Sequence, residues 1–317
     1  MEFKHVPIML EACIEGLNVK GDGIYFDGTL GGGGHSGEIL KRLTAGKLIA
    51  TDLDEDAIAA ARKKLAPYGD RFLPVHDNFK NFKEIITNYG YAEVDGVLLD
   101  LGVSSYQLDN RERGFSYMGD SELDMRMDRG QALTAYDVVN GYGEERLKYV
   151  ISAYGEDRFA GRIAAAIVKR REKKEIRTTG ELVSVIEEAV PKKFQKDGHP
   201  AKRTFQAIRI EVNGELDGLK DCLYDMVRSL KPGGRIAVIT FHSLEARIVK
   251  QCFKDLETDC VCDKRLPVCV CGKKKEIEVL TKKPITASGE ELSLNPRAKS
   301  AELRIAEKLP NTLKISV

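Results

Sequence analysis

Apolar residues in the first hundred positions occur in short runs that alternate with segments of helical periodicity. The runs at 23–28, 47–52, 71–76 and 94–100 predict four β-strands. Residues 54–65 begin with acidic side chains and end with cations, as the dipole of a helix favours. Strands that alternate with helices of this length predict an α/β fold with a parallel, doubly wound sheet.

The pattern changes after the fourth run, because residues 108–203 show helical periods and polar turns without strand-like runs. A long helix is then expected over 204–230, and a strand over 235–241 after a Lys-Pro-Gly-Gly turn. A sheet that is interrupted and later resumed predicts one discontinuous domain, 1–107 with 204–317, that carries an inserted helical domain over 108–203.

Composition fits a globular protein of two domains, with 317 residues, 42% of them hydrophobic and 31% charged. No apolar stretch approaches the roughly 18 residues that a membrane span requires. The first ten residues lack the pattern of a targeting segment, so we expect no membrane association and a cytoplasmic location. Seven cysteines, an odd number, indicate no disulfide framework.

The charges are unevenly distributed although the formal net charge is +1. Residues 1–110 hold 11 lysines and arginines against 17 acidic residues, whereas residues 158–209 hold 14 against 6. A basic segment beside a cofactor-binding domain suggests a polyanionic substrate. The alternative is an ordinary solvated helix surface.

The most informative segment is residues 27–37, in which Asp27 ends the first predicted strand and four glycines follow at 31–34. Glycines allow a ligand to approach the backbone closely, so we expect a nucleotide-like cofactor here. Residues 32–37 match the dinucleotide pattern GxGxxG, with Asp52 at about the expected distance. However, Asp27 would repel a diphosphate and attract the sulfonium of S-adenosylmethionine, unless it only caps the loop.

Ligands of such sheets bind at the carboxyl ends of the strands, which brings together the residues that follow each run. Asp52 is placed to accept hydrogen bonds from ribose hydroxyls, and Phe79 to flank an adenine ring. Asp100 can accept a hydrogen bond from an amine during direct methyl transfer, which makes it the candidate catalytic residue. No cysteine lies between Cys13 and Cys222 to attack carbon 5 of a pyrimidine, so the sequence favours nitrogen or oxygen acceptors.

Several blocks in order along the chain resemble one family. They are DGTLGGGGHS at 27–36, LLDLGVSS at 98–105, RGFS at 113–116, LDMRMD at 123–128, RTFQAIRI at 203–210, FHSLE at 241–245 and NPRAKS at 295–300. They resemble the MraW family of bacterial ribosomal RNA methyltransferases. The usual methyltransferase loop has glycine where this chain has Thr29, a departure that does not alter the resemblance.

The resemblance implies a class I methyltransferase with a Rossmann-like sheet that uses S-adenosylmethionine. It implies methylation of the exocyclic N4 of a cytosine in the decoding region of 16S ribosomal RNA, with the small ribosomal subunit as partner. The cofactor contacts that it implies are Gly33, Gly34, His35, Asp52, Phe79, Asp100 and Gln107.

Contacts with RNA are predicted within the basic segment and after it. His242 and Arg247 follow the fifth strand and are expected near the acceptor cytosine or its phosphate, although backbone groups often satisfy a histidine at this position. Lys202, Arg203 and Arg297 lie in basic runs and are candidates for phosphate contacts.

Four cysteines, Cys260, Cys262, Cys269 and Cys271, lie within twelve residues and could bind zinc. The spacing departs from the Cys-x-x-Cys of zinc ribbons, and Cys-Val-Cys also places two side chains on one face of a strand. The sequence leaves two other functions open: a nicotinamide-dependent dehydrogenase and a noncatalytic RNA-binding assembly factor. The oligomeric state, and whether naked RNA or an assembled subunit is the substrate, are also open.

Overall fold

The computed structural model describes residues 7–195, 198–263, 265 and 268–310. Residues 1–6, part of the segment in which we expect no targeting signal, lie outside it. The chain divides into two compact units, which we call the sheet unit (Met1–Gly102 and Asp217–Val317) and the inserted unit (Val103–Leu216). Within the described ranges, no helix has the length and apolar character needed to cross a membrane.

Among the described residues, eight strands belong to the sheet unit. They are β1 (Ile24–Asp27), β2 (Lys47–Asp52), β3 (Phe72–His76), β4 (Val94–Asp100), β5 (Leu230–Thr240), β6 (Ile277–Val279), β7 (Ile285–Thr286) and β8 (Glu302–Lys308). Its helices are α1 (Leu10–Leu17), α2 (Gly34–Arg42), α3 (Glu55–Leu65), α4 (Phe82–Asn88), α11 (Leu219–Arg228), α12 (Ser243–Glu257) and α13 (Gly289–Leu294). The helices of the inserted unit are α5 (Ser105–Asp109), α6 (Ala135–Gly141), α7 (Glu144–Gly155), α8 (Ala160–Arg171), α9 (Thr179–Ala189) and α10 (Ala201–Asn213).

The strands form one sheet in the order β3-β2-β1-β4-β5-β8-β6, with β7 paired to β8. The first five in this order are parallel, and β8 runs antiparallel to β5, β6 and β7. The chain builds outward from β1 to β3 and then returns to β4 on the other side of β1. The predicted Rossmann-like α/β fold is thereby confirmed, and the carboxyl ends of β1 and β4 mark the place where such sheets bind ligands.

The central strands are buried because helices cover the sheet. All residues of β4 from Val94 to Leu99 are buried, the burial that a parallel strand with two covered faces requires. One hydrophobic core joins Leu48 of β2 and Leu98 of β4 to Ile39 of α2 and Leu65 of α3. This packing fixes the ends of β1, β2 and β4, which carry the candidate site.

The inserted unit has a hydrophobic core of its own, which includes Phe205 and Ile208 of α10. The boundaries of this unit, 102/103 and 216/217, therefore differ from the expected 107/108 and 203/204. The helix expected over 204–230 is two helices, α10 and α11. Gly214 and Gly218 separate them with φ angles of 54° and 65°, values that interrupt a right-handed helix.

Candidate active site

The loop after β1 is organised by Asp27, whose carboxylate is buried. Its Oδ1 accepts a hydrogen bond from the amide of Thr29 at 3.0 Å, and its Oδ2 accepts one from the hydroxyl of Ser36 at 2.7 Å. Burial raises the pKa of Asp27, and these hydrogen bonds partly oppose the increase. Asp27 therefore caps the loop from inside, which was one of the two roles that the sequence left open.

The four glycines of the loop differ in what surrounds them. Gly31 and Gly33 have φ angles of 48° and 69°, which favour glycine. A Cβ on Gly34 would lie 2.2 Å from Cγ of Pro7, so only a hydrogen fits there. Gly32 is exposed, and a Cβ on it would meet no atom within 4 Å. Gly32 is thus the most exposed of the four glycines, although its carbonyl oxygen accepts a hydrogen bond from Nζ of Lys64 at 3.2 Å.

Asp52 ends β2 and also binds the loop. Its Oδ2 accepts a hydrogen bond from the amide of Gly31 at 2.7 Å, and its Oδ1 accepts one from the amide of Asp54 at 2.9 Å. Burial raises the pKa of Asp52 to about 6, and the nearby charges of Asp54 and Asp27 add to the increase. The carboxylate is therefore held in place while its charge lacks a cationic partner.

Asp100 ends β4 next to the same loop. Its amide donates a hydrogen bond to the hydroxyl oxygen of Thr29 at 2.6 Å. Its Oδ1 is buried and has no hydrogen-bond partner among the described residues. Burial raises the pKa of Asp100 to about 8, with contributions from the charges of Asp27 and Glu245. An unpartnered buried carboxyl oxygen at a strand end is a group that a ligand can satisfy.

His35 lies beside Asp100 at the start of α2, with a side chain only 7% exposed. Its Nε2 is 3.0 Å from the carbonyl oxygen of Ile8. A carbonyl oxygen can only accept, so Nε2 is protonated and donates a hydrogen bond to it. Its Nδ1 lies 3.8 Å from Oδ2 of Asp100, beyond the range of a strong hydrogen bond. The imidazole therefore faces the carboxyl group and limits the space around it.

The carboxyl groups of Asp27, Asp52 and Asp100 lie near one another, so a positively charged ligand would be favoured here. In the described part of the chain, no lysine or arginine forms an ion pair with any of them. A diphosphate would add negative charge here, and the amide of Gly31, which could bind a phosphate, already donates to Asp52. The residues fit a cationic ligand with hydroxyl groups that can donate hydrogen bonds. S-adenosylmethionine has both properties.

Phe79 follows β3 and is half-buried. Its Cβ would lie 2.8 Å from a Cβ placed on Gly28, so Phe79 packs against the beginning of the glycine loop. Gln107 belongs to the inserted unit, where its Oε1 accepts the amide of Ser104 at 3.0 Å in a capping box at α5. Contacts of Phe79 and Gln107 with the cofactor stay predictions.

The residues predicted to bind RNA occupy separate places. His242 caps α12, with a side chain 6% exposed and Nε2 3.1 Å from Oε1 of Glu245. Lys202 and Arg203 are exposed in the first turn of α10, where Arg203 also donates to the carbonyl oxygen of Glu156 at 2.8 Å. Arg247 of α12 and Arg297, which lies before β8, are exposed on the sheet unit. None of these contacts with RNA is tested by the geometry, and they stay predictions.

The four cysteines of the predicted metal site are brought together. The sulfur atoms of Cys260, Cys262, Cys269 and Cys271 all lie within 4.8 Å of one another, and none forms a disulfide.

Sequence reasoning missed three side chains that organise this site. Thr29 links the ends of β1 and β4, Ser36 donates to Asp27, and the buried carboxylate of Glu245 accepts the amide of Phe241 at 2.9 Å. A signal was present for Thr29, because a hydroxyl residue replaces glycine at this position of the loop.

The chain is similar to several known proteins over its whole length. It is 56% identical over 309 residues to ribosomal RNA small subunit methyltransferase H of Carboxydothermus hydrogenoformans, which covers 98% of this chain and 99% of that relative. It is 54% identical over 310 residues to the protein of the same name from Clostridium botulinum strain Kyoto, with 98% and 100% covered.

Among solved structures, an rRNA methylase from Streptococcus thermophilus is 11% identical, with a TM-score of 0.41 and coverage of 98% and 100%. The model of the MraW methylase family matches residues 2–309. This match and the identities above 50% confirm the resemblance noted in the sequence, and the chain belongs to the MraW methylase family.

Proposed function

We propose that the protein transfers a methyl group from S-adenosylmethionine to the exocyclic N4 of a cytosine in the decoding region of 16S ribosomal RNA, within the small ribosomal subunit. It is a ribosomal RNA methyltransferase, a function supported by curated relatives of that name at 54 and 56% identity. The cytosine, its N4 atom and the decoding region are the finer part of the proposal, and they rest on the family motifs quoted above.

The observation that carries the proposal is the environment of Asp100. Its Oδ1 is buried without a hydrogen-bond partner in the described residues, and its pKa is raised to about 8. A cation beside this carboxyl group lowers its pKa and returns it to the ionised form. An ionised Asp100 can then accept a hydrogen bond from an amino group and align the nitrogen for attack.

The cofactor supplies a methyl group on a positively charged sulfur. With the cofactor bound, Asp27 and Asp100 would provide negative charge near that sulfur, and Asp52 would accept hydrogen bonds from the ribose hydroxyls. Transfer would be direct: the amino nitrogen would attack the methyl carbon while the carbon–sulfur bond breaks, so that S-adenosylhomocysteine leaves and the methylated nitrogen releases one proton. No covalent enzyme intermediate is needed. The lack of any cysteine between Cys13 and Cys222 agrees with this route.

The inserted unit supplies positive charge for the RNA. Its segment 158–209 holds 14 lysines and arginines against 6 acidic residues, and Lys202 and Arg203 are exposed within it. Contacts of such side chains with phosphates position RNA without reading its sequence. We therefore assign positioning of the RNA to the inserted unit.

The test is incorporation of labelled methyl groups into small subunits purified from cells that lack the modification, followed by nucleoside analysis. We expect N4-methylcytidine at one position, and a rate lowered at least about 100-fold by Asp100→Asn, which keeps the shape but removes the charge. Asp70→Asn is the matched control, since the side chain of Asp70 is 89% exposed.

Other outcomes would contradict the proposal. Label on carbon 5 of a pyrimidine would exclude the amino acceptor. Stabilisation of the protein by NAD and not by S-adenosylmethionine would indicate a dehydrogenase. Tight binding of subunits without any incorporation would indicate an assembly factor.

A further inference from the structure

The segment between α12 and β6 is held together by very little hydrophobic burial. None of its described residues from 258 to 276 is buried. Val261, Val268 and Val270 are exposed by 64, 70 and 77%. Apolar contacts therefore cannot fix this part of the chain, and its order requires another source.

Four sulfur atoms meet inside this segment. Sγ of Cys260 lies 3.5 Å from Sγ of Cys269 and 3.9 Å from Sγ of Cys271. Sγ of Cys269 lies 3.9 Å from Sγ of Cys262 and 3.6 Å from Sγ of Cys271. The bond of a disulfide is about 2.05 Å, so these separations are not those of two disulfides.

The separations match a tetrahedral metal site. Four sulfurs about 2.3 Å from one zinc ion are about 3.8 Å from each other, as the geometry of a tetrahedron requires. Each Cys-Val-Cys pair supplies two corners, and the sulfur atoms of the two pairs lie close together. The spacing that departs from Cys-x-x-Cys is therefore no obstacle to a closed site.

Backbone amides point at the sulfurs, as they do around metal-bound thiolates. The amide of Val261 donates to Sγ of Cys271 at 3.4 Å, and the amide of Val270 donates to Sγ of Cys262 at 3.3 Å. The amide of Cys262 donates to Sγ of Cys260 at 3.4 Å. Such hydrogen bonds orient thiolate ligands and spread their charge.

The charge of the segment is also suited to thiolates. Four thiolates around one Zn²⁺ leave a net charge of −2, and residues 264–275 hold five lysines and arginines with no acidic residue. Four thiolate ligands in tetrahedral geometry are typical of zinc or of an iron–sulfur centre. Zinc is favoured because the segment is open to solvent, where a redox-inert ion persists.

We propose that Cys260, Cys262, Cys269 and Cys271 bind one structural zinc ion, which orders the segment between α12 and β6. All four positions of the metal are filled by protein, so the site is closed and has no place for substrate. The site is separate from the carboxylates at the ends of β1, β2 and β4, and the proposal does not depend on the reaction.

The test uses the full chain, expressed with zinc in the medium and purified without chelator. Elemental analysis should give one zinc per chain in the wild type. Cys260→Ser and Cys269→Ser should each lose most of it. Cys252→Ala is the matched control, because Cys252 is a buried cysteine of α12 that is not part of the four-sulfur cluster, and it should retain the zinc. Binding of S-adenosylmethionine by each variant reports whether the sheet unit remains folded.

Two measurements on the wild type make the test independent of the variants. Replacement of zinc by Co²⁺ should give the visible absorption of a tetrahedral thiolate complex, and chelation should make four more thiols reactive. The proposal is overturned by a metal-free chain that fails to bind Zn²⁺ or Co²⁺, by iron in place of zinc, or by a mass four hydrogens lower, which would indicate two disulfides.

Discussion

The hydroxyl oxygen of Thr29 accepts a hydrogen bond from the amide of Asp100 at 2.6 Å, and the amide of Thr29 donates to Oδ1 of Asp27 at 3.0 Å. One residue of the glycine loop is thus bonded to the ends of two neighbouring strands. The position of the candidate catalytic carboxyl group therefore depends on the loop that is expected to hold the cofactor.

Thr29→Ala removes this link without adding bulk. We expect a loss of about 1 to 2 kcal/mol in the free energy of unfolding, because the partly buried amide of Asp100 loses its acceptor. We also expect weaker binding of S-adenosylmethionine, by roughly tenfold, measured by calorimetry. Thr29→Ser keeps the hydroxyl and should restore both values. Equal effects of the alanine and serine variants would show that the methyl group matters rather than the hydrogen bond.

Asp100→Asn should stabilise the ligand-free protein, and more so at higher pH. The pKa of Asp100 is raised to about 8 in the folded protein, whereas an unfolded aspartate has a pKa of about 3.9. Between these values the unfolded chain binds fewer protons than the folded one, so stability contributed by the neutral carboxyl falls as pH rises from about 4 to 8.

Asparagine has no proton to lose, so the stability difference between variant and wild type should grow over this range. We expect on the order of 2 kcal/mol at pH 8, less than the raised pKa alone implies, because 26% of the side chain reaches solvent. Urea unfolding of both proteins at pH 5 and pH 8 measures this difference in the free energy of unfolding. A difference that is constant with pH would contradict the raised pKa.

Substitution by alanine should have different effects at two glycines of the loop. Gly34→Ala should destabilise the protein, because the new Cβ would lie 2.2 Å from Cγ of Pro7. Gly32→Ala should leave stability unchanged within about 0.5 kcal/mol, since its Cβ meets no atom within 4 Å, but should weaken cofactor binding. Thermal unfolding and calorimetric titration separate the two effects. Unchanged cofactor affinity in Gly32→Ala would mean that the ligand lies elsewhere.

Lys202→Ala should weaken binding of ribosomal RNA and reduce its dependence on salt. A lysine that contacts one phosphate releases about one counterion, so the slope of log K against log salt should decrease by about 1. Filter binding between 50 and 200 mM salt measures the slope. Lys63→Ala, an exposed lysine of α3 in the sheet unit, is the matched control. Equal slopes for the wild type and Lys202→Ala would remove Lys202 from the RNA contacts.

Much of the sheet unit could be predicted from the sequence, because short apolar runs and the residues that follow them report where parallel strands end. Asp52 and Asp100 were found in this way. The hydrogen-bond partners of Thr29 and Ser36 could not be predicted, since a hydroxyl group gives no periodic signal and its partner lies on another element. The break between α10 and α11 was missed because apolar positions continue through 204–230, and periodicity does not tell which core a helix joins.

The connection from β4 to β5 contains α11 in addition to the inserted unit. The strand β4, the helix α11 and the parallel neighbouring strand β5 already form a complete crossover connection. Residues 103–216 are therefore not needed to connect the two strands. The two cores are likewise built from separate residues. The insertion is therefore modular: a different segment could occupy the same place in the chain without any change in the connectivity of the sheet.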